Sequence, residues 1–276
     1  MTGANSGIGK EIALGLAKSG ARVIMVCRNL KKGKKAVEEI RAASHSNSVE
    51  LLIADLSSQK DVQLLAKQIY ERYKELHVLI NNAAVVLSKK KLSIDNIEMT
   101  LATNYLGPFF LTELLLDLLQ KSAPSRIINI SSGIHKWAKL DLDDLQSANK
   151  PYHFMRVYAQ SKLLLTIYTY ELAYKLERTG VTVNCVHPGA VNTRLGSDEN
   201  HSIGLKLIDK MIKFFLSSPN KAAKRIIDLA ISSEYEQVTG QYFVNGKIKK
   251  SKSSIGHDLI LAKKILEITR NLIAYH

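Results

Sequence analysis

Short apolar runs alternate along this chain with longer stretches in which apolar residues recur every three or four positions. The runs at 21–27, 49–54, 78–81, 126–130, 181–186 and 241–244 are rich in Val, Ile and Leu and do not alternate strictly with polar residues. Strands covered on both faces read this way. Between them, the spacing predicts helices over 8–19, 32–43, 59–73, 95–120, 155–179 and 220–233. Gly20 and Gly180 fall just past two of these helices, where glycine relieves a left-handed C-cap. Strand–helix alternation of this kind predicts an α/β fold with a parallel sheet and helices on both faces. The absence of internal repeats, Pro-rich linkers and low-complexity segments makes residues 1–276 one domain. A helical pattern at 257–273, with Leu259, Leu261, Ile265 and Ile268 apolar, adds a C-terminal tail over about 257–275 that is expected to pack on the domain.

Composition narrows the function classes. A chain of 276 residues can bury a sizeable core, and no run of about 18 uncharged apolar residues is present to span a membrane. The N-terminus opens into a polar, Gly-rich motif with no secretory signal. Cys27 and Cys185 each lie inside an apolar run, as buried reduced thiols would in a cytoplasmic protein. The net charge of +14 is spread along helix patterns, with a denser group at 247–252, and lacks interleaved aromatics or a nucleic-acid motif. Nucleic acid is therefore not an expected partner. Most of the charge reads as solvated surface, and a minority helps attract a phosphorylated ligand.

The chemistry-bearing residues come in a fixed order. Thr2 to Lys10 reads TGANSGIGK and leads into an amphipathic helix. Such a turn lets the backbone approach a pyrophosphate, while the helix N-terminus offers N–H groups and a positive dipole end. About twenty residues on, where an acidic residue would bind a ribose 2′-hydroxyl, the strand ends in Cys27 and Arg28, followed by Asn29. A guanidinium suits a 2′-phosphate, so NADP(H) is preferred and NAD(H) is the alternative. Asp55 follows the second strand, where a short side chain can accept from an adenine amino group. Asn81, Asn82, Ala83 and Ala84 follow the third, where small residues admit a nucleotide.

Tyr158 and Lys162 stand four apart on a helix and project from one face. A neighbouring ammonium stabilises phenolate, so the tyrosine pKa is expected to fall from its usual value of about 10 and allow acid–base work. Ser131 and Ser132 end the fourth strand and place a hydroxyl at the carboxyl edge of the sheet, where ligands bind in open α/β folds. Each feature is commonplace singly; a Tyr and Lys four apart occur on many surface helices. Their joint order is what carries the reading.

Over essentially its whole length the chain resembles the short-chain dehydrogenase/reductase family. The matching motifs are TGANSGIG at 2–9, NNAA at 81–84, NYLG at 104–107, ISS at 130–132, YAQSK at 158–162 and HPGAVNT at 187–193. Within it, Cys27, Arg28 and Asn29, Ile130, Ser131 and Ser132 with His135 following, Val186 to Gly189, and Gly240 to Phe243 resemble the retinol dehydrogenase-like group. The resemblance implies a Rossmann-type doubly wound sheet and an enzyme acting on CH–OH groups. It assigns catalysis to Asn104, Ser132, Tyr158 and Lys162. Tyr158 would transfer the proton, Lys162 would lower its pKa and hold the nicotinamide ribose, and Ser132 rather than Ser131 would bind the substrate oxygen. Asn104 would sit at a helix irregularity supporting a water chain. The cofactor would lie against Gly3, Ser6, Gly7, Ile8, Gly9, Arg28, Asn29, Asp55, Leu56, Asn82, Ala83, Tyr158, Lys162, Pro188, Gly189 and Thr193.

One departure stands out. In the family a buried central strand precedes the Gly-rich turn, whereas here Met1 abuts Thr2. The expectation is that the first strand is missing from this sequence, with Met1 its last residue, and that two neighbouring strand edges are left exposed. A membrane anchor of the kind carried by some relatives would lie upstream. The segment 192–216, with Leu195, Ile203, Leu205, Leu207, Ile208, Met211, Phe214 and Phe215, predicts an apolar cover over the site. The substrate is accordingly a lipophilic alcohol, aldehyde or ketone, retinoid-like or otherwise. Membrane-surface association and homo-oligomerisation are both compatible with this reading. The alternative keeps the fold and drops catalysis, as a nucleotide-binding regulatory protein.

Overall fold

The computed structural model describes residues 1–189, 219–249 and 259–273. Thr193, the 192–216 segment and the basic residues at 250–252 lie outside them. In chain order the elements are α1 (Gly7–Lys18), β1 (Val23–Cys27), α2 (Leu30–Ser44), β2 (Val49–Ile53), α3 (Gln59–Arg72), β3 (Val78–Asn81), α4 (Met99–Leu101) and α5 (Gly107–Lys121). They continue with β4 (Ser125–Ile130), α6 (Phe154–Lys175), β5 (Val181–His187), α7 (Pro219–Ile231), β6 (Tyr242–Val244), β7 (Lys247–Ile248) and α8 (Leu259–Leu272).

The strands form a doubly wound α/β sheet. β1 pairs in parallel with β2, and β3, β4, β5 and β6 follow in parallel order, with β7 added antiparallel at the edge. Between β1 and β3 only the first residues intervene. Thr2 bridges Val26, the Thr2 N–H donates to Ile80 O at 3.0 Å, and the Val26 N–H donates to Met1 O at 2.8 Å. The bridge at Thr2 joins the two groups of strands. Ile12, Leu16, Val37, Ile40 and Ile226 fill one face, under α1, α2 and α7; Leu65, Phe109, Leu115, Leu164 and Ile167 fill the other, under α3, α5 and α6. α8 packs on this second face through buried Ala262, Ile265 and Leu266, and Thr269 hydrogen-bonds the Tyr105 hydroxyl at 2.8 Å. No helix among the described residues is long and apolar enough to cross a membrane.

The segment expected as one helix over 95–120 is broken. Asn96 adopts a positive φ of 59°, and the helix starts only at Met99, where the Glu98 carboxylate accepts from the N–H groups of Thr100 and Leu101. Residues Ala102–Leu106 then form a π turn before α5, with the Gly107 N–H reaching back to Ala102 O. Pro108 accounts for the π turn: it has no N–H to offer the Asn104 carbonyl four residues earlier, and the wider turn absorbs the loss.

Candidate active site

The Gly-rich turn is held against the end of β3. Asn82 Nδ2 donates to Thr2 O and Gly3 O at 2.9 and 3.0 Å, and the N–H groups of Asn82 and Ala83 donate to Thr2 Oγ1 at 3.0 and 3.1 Å. Gly3 has φ of 64°, and a Cβ at Gly9 would stand 2.2 Å from Gly3 O, so neither position admits a side chain. The turn leads into α1 through Ser6, whose side chain makes no capping bond, and the first turn of α1 carries no acidic residue. Ser6 and Gly7 are exposed, while Ile8 and Gly9 are buried. An uncapped, acid-free helix start behind a glycine turn fits a pyrophosphate group.

Along the same edge Arg28 is exposed at the end of β1, 3.7 Å from the Asp55 carboxylate that follows β2. Asp55 also accepts from the N–H and hydroxyl of Ser57, at 2.9 and 2.7 Å, which fixes its orientation. Leu56 beside it is buried, its carbonyl packed against Gly107. Asn29, expected at the cofactor, has its carboxamide oxygen engaged as the N-cap of α2, accepting from the Lys32 N–H at 2.8 Å.

Ser132 and Lys162 meet at the carboxyl end of β4 with Tyr158 beside them, and Asn104 is tied to the same helix through Ser161. The Tyr158 phenol faces the Ser132 hydroxyl closely enough for that group to draw its pKa down. Lys162 Nζ lies 5.8 Å from the Tyr158 ring centroid and donates to Ile130 O at 2.8 Å. Ser131 turns the other way: its hydroxyl is buried against Lys162 O and Thr166 Oγ1. Asn104, fully buried in the π turn, accepts from the Val85 N–H at 2.7 Å and donates to Val85 O and Ser161 Oγ. Pro188 and Gly189, the latter at φ of 94°, follow β5.

The electrostatics depart from the expectation that Lys162 lowers the tyrosine pKa. Burial pushes the Tyr158 phenol up to about 12, and the Ser132 hydrogen bond offsets only part of this. Lys162 is itself buried, and desolvation brings its ammonium down to about 8. A lysine that is costly to charge stabilises a phenolate weakly. The protein alone therefore holds Tyr158 protonated.

Behind Ser132 lies a group that periodicity and motif order did not single out for a role. His135 and Tyr242 are buried with ring centroids 4.8 Å apart, and His187 packs against Gly133. His135 and Tyr242 are 107 residues apart, which leaves no local signal of their contact.

Comparison with known proteins bears on the family and the fold. The family model described as short chain dehydrogenase matches residues 1–204. Retinol dehydrogenase 13 of Mus musculus is 38% identical over 276 residues, which cover 99% of this chain and 82% of the relative. Retinol dehydrogenase 12 of Bos taurus is 40% identical over 247 residues, 90% of this chain and 77% of the relative. Among solved structures, the Pseudomonas aeruginosa RhlG/NADP active-site complex matches with a TM-score of 0.70 at 25% identity, covering 88% of this chain and 92% of that one.

Proposed function

The chain belongs to the short chain dehydrogenase family, and from that premise we propose that it interconverts a lipophilic alcohol with its aldehyde or ketone using NADP(H). It is an oxidoreductase of CH–OH groups; the cofactor preference, the roles of individual residues and the substrate class are our reading. The observation that carries it is Lys162, anchored on Ile130 O with its ammonium beneath the Tyr158 ring, beside Ser132 at the sheet edge that also bears the uncapped start of α1.

In this reading Gly3, Ser6, Gly7, Ile8 and Gly9 hold the pyrophosphate, Asp55 and Leu56 the adenine, and Asn82 and Ala83 the adenosine side of the chain. Lys162 takes the nicotinamide ribose, and Pro188 and Gly189 flank the nicotinamide. The cofactor supplies or accepts the hydride. Arg28 faces the 2′-phosphate, with Asn29 beside it, and the exposed guanidinium at that strand end favours NADP(H) over NAD(H). The bacterial structural relative is itself an NADP complex.

Ser132 and Tyr158 bind the substrate oxygen together. For carbonyl reduction Tyr158 must enter protonated, and burial secures that state. For alcohol oxidation it must first release its proton, and Lys162 beneath the ring offsets that cost only weakly because its own charge is desolvated. Asn104, in a helix whose backbone bonding is widened by Pro108, supports the path by which the proton is replaced. A non-catalytic nucleotide-binding role is disfavoured by the joint presence of Asn104, Ser132, Tyr158 and Lys162. The substrate class follows from the apolar residues of 192–216 and from the retinol dehydrogenase relatives.

The test is a panel of lipophilic aldehydes and ketones, retinal included, assayed with NADPH and with NADH. Turnover with NADPH at least about tenfold more efficient than with NADH is expected, a difference of about 1.4 kcal/mol. No turnover of any member with either cofactor would sink the enzymatic reading, and equal use of both would sink the NADP(H) assignment.

A further inference from the structure

The peptide after Ser132 is gripped by imidazoles on two sides. The Ser132 carbonyl accepts from the His135 backbone N–H at 3.2 Å and lies 2.7 Å from His135 Nδ1. A carbonyl oxygen can only accept, so Nδ1 carries the proton, and in the neutral ring Nε2 is the lone-pair nitrogen. Burial favours that neutral ring. Tyr242, from β6 at the far side of β5, meets the imidazole edge-on, its hydroxyl 3.3 Å from Nδ1. From the other side His187 closes on Gly133, where an added Cβ would stand 3.0 Å from His187 Nε2. Ser132 itself is extended, with φ of −148° and ψ of 150°, and caps the short 3₁₀ turn Gly133–Trp137 through a long 3.5 Å contact from the Ile134 N–H. That contact is too weak to set the aim of its hydroxyl.

We propose that His135 is a positioning residue, whose Nδ1–H fixes the Ser132 carbonyl and so aims the Ser132 hydroxyl at Tyr158. Tyr242 holds the imidazole in place from β6, and His187 limits the movement of the Gly133 peptide. His135 and Tyr242 are each 1% exposed, so they act through the Ser132 backbone and not on substrate. The proposal rests on the reading of Ser132 and Tyr158 as the reacting pair. It predicts that the site needs a donor at the Nδ1 position specifically, where mere filling of the space does not suffice.

Three variants separate the two demands. His135→Asn places an amide N–H near the Nδ1 position, His135→Gln places one nearer Nε2, and His135→Phe fills the space with no donor. His135→Asn is expected to keep kcat close to wild type. His135→Gln and His135→Phe are expected to lose about ten- to hundredfold in kcat, as a misaimed group does, with KM for the carbonyl and NADPH affinity unchanged. Wild-type kcat in all three, or equal losses in all three, overturns the proposal. Nitrogen-15 NMR of labelled histidines in the wild-type protein reads the tautomer without turnover: His135 must be neutral with its proton on Nδ1. A proton on Nε2 or a charged ring overturns the proposal even if the variants fail to fold. An inactive wild-type protein counts against the catalytic reading, and the tautomer then decides on the clamp alone.

Discussion

Tyr158, Arg28 and His187 each show a side chain whose behaviour is set by what surrounds it. At Tyr158, four-residue spacing to Lys162 was legible in the sequence, but the balance between charge and burial was not. Desolvation acts on both partners, and only the fold reveals that the lysine is buried more completely than the tyrosine. Arg28 was singled out by its place at a strand end, and the structure finds it exposed there beside Asp55. Arg28→Asp is expected to weaken NADPH by about ten- to hundredfold relative to NADH, the scale of one charge-assisted hydrogen bond of about 1.5–3 kcal/mol. Equal losses for the two cofactors in a binding titration would mean that Arg28 does not read the phosphate. His187 was legible only as part of a motif. Burial, with His135 and Lys136 nearby, lowers its pKa from 6.5 to about 4. In the unfolded chain it takes up a proton near pH 6.5, while the folded protein resists until about pH 4. Its contribution is therefore fully present above pH 6.5 and is lost as the pH falls through that window. His187→Gln should flatten the loss of urea stability between pH 6.5 and 4; an unchanged acid limb would show that His187 does not carry it.

Among the elements, the strands were the most readable. Runs of Val, Ile and Leu buried on both faces fall at β1 to β6 within two residues of their expected bounds. β7 was missed because a two-residue strand with Lys247 in it has no periodicity to detect. The helix expected over 95–120 failed at the place that matters for the site. Apolar spacing continues smoothly through Leu101, Tyr105 and Phe109, so it does not register that Pro108 removes a donor and forces a π turn around Asn104. Gly107, which closes the turn, admits no side chain: an added Cβ would stand 2.3 Å from Leu56 O. Gly107→Ala should therefore cost about 1–3 kcal/mol in urea unfolding, the usual range for overpacking. A variant as stable as the parent would show that α5 and the loop after β2 can separate without cost.

For the molecule as a whole, the sheet explains why residues scattered over the chain meet. Parallel strands bring the ends of β1, β2, β3, β4 and β5 to one edge, so Arg28, Asp55, Asn82, Ser132 and Pro188 share it although the sequence spaces them tens of residues apart. Met1 and Thr2 link the two groups of strands by one bridge, and the same Thr2 ties the Gly-rich turn to β3 through its side chain. The C-terminal pattern read as a packed helix, and α8 does pack, against Tyr105 and Gln59. What the sequence did not disclose is the clamp behind Ser132, because contact between β6 and the turn after β4 is a property of sheet order alone. The central claim is that the Tyr158 hydroxyl transfers the proton, and Tyr158→Phe tests it most directly. Carbonyl reduction by NADPH and NADPH affinity are measured side by side on this variant and the parent. Loss of turnover by about a thousandfold or more, within the range of general acid catalysis and misdirected substrate together, with affinity unchanged, is the predicted result. A variant that reduces the same carbonyl at the parent's rate would contradict it.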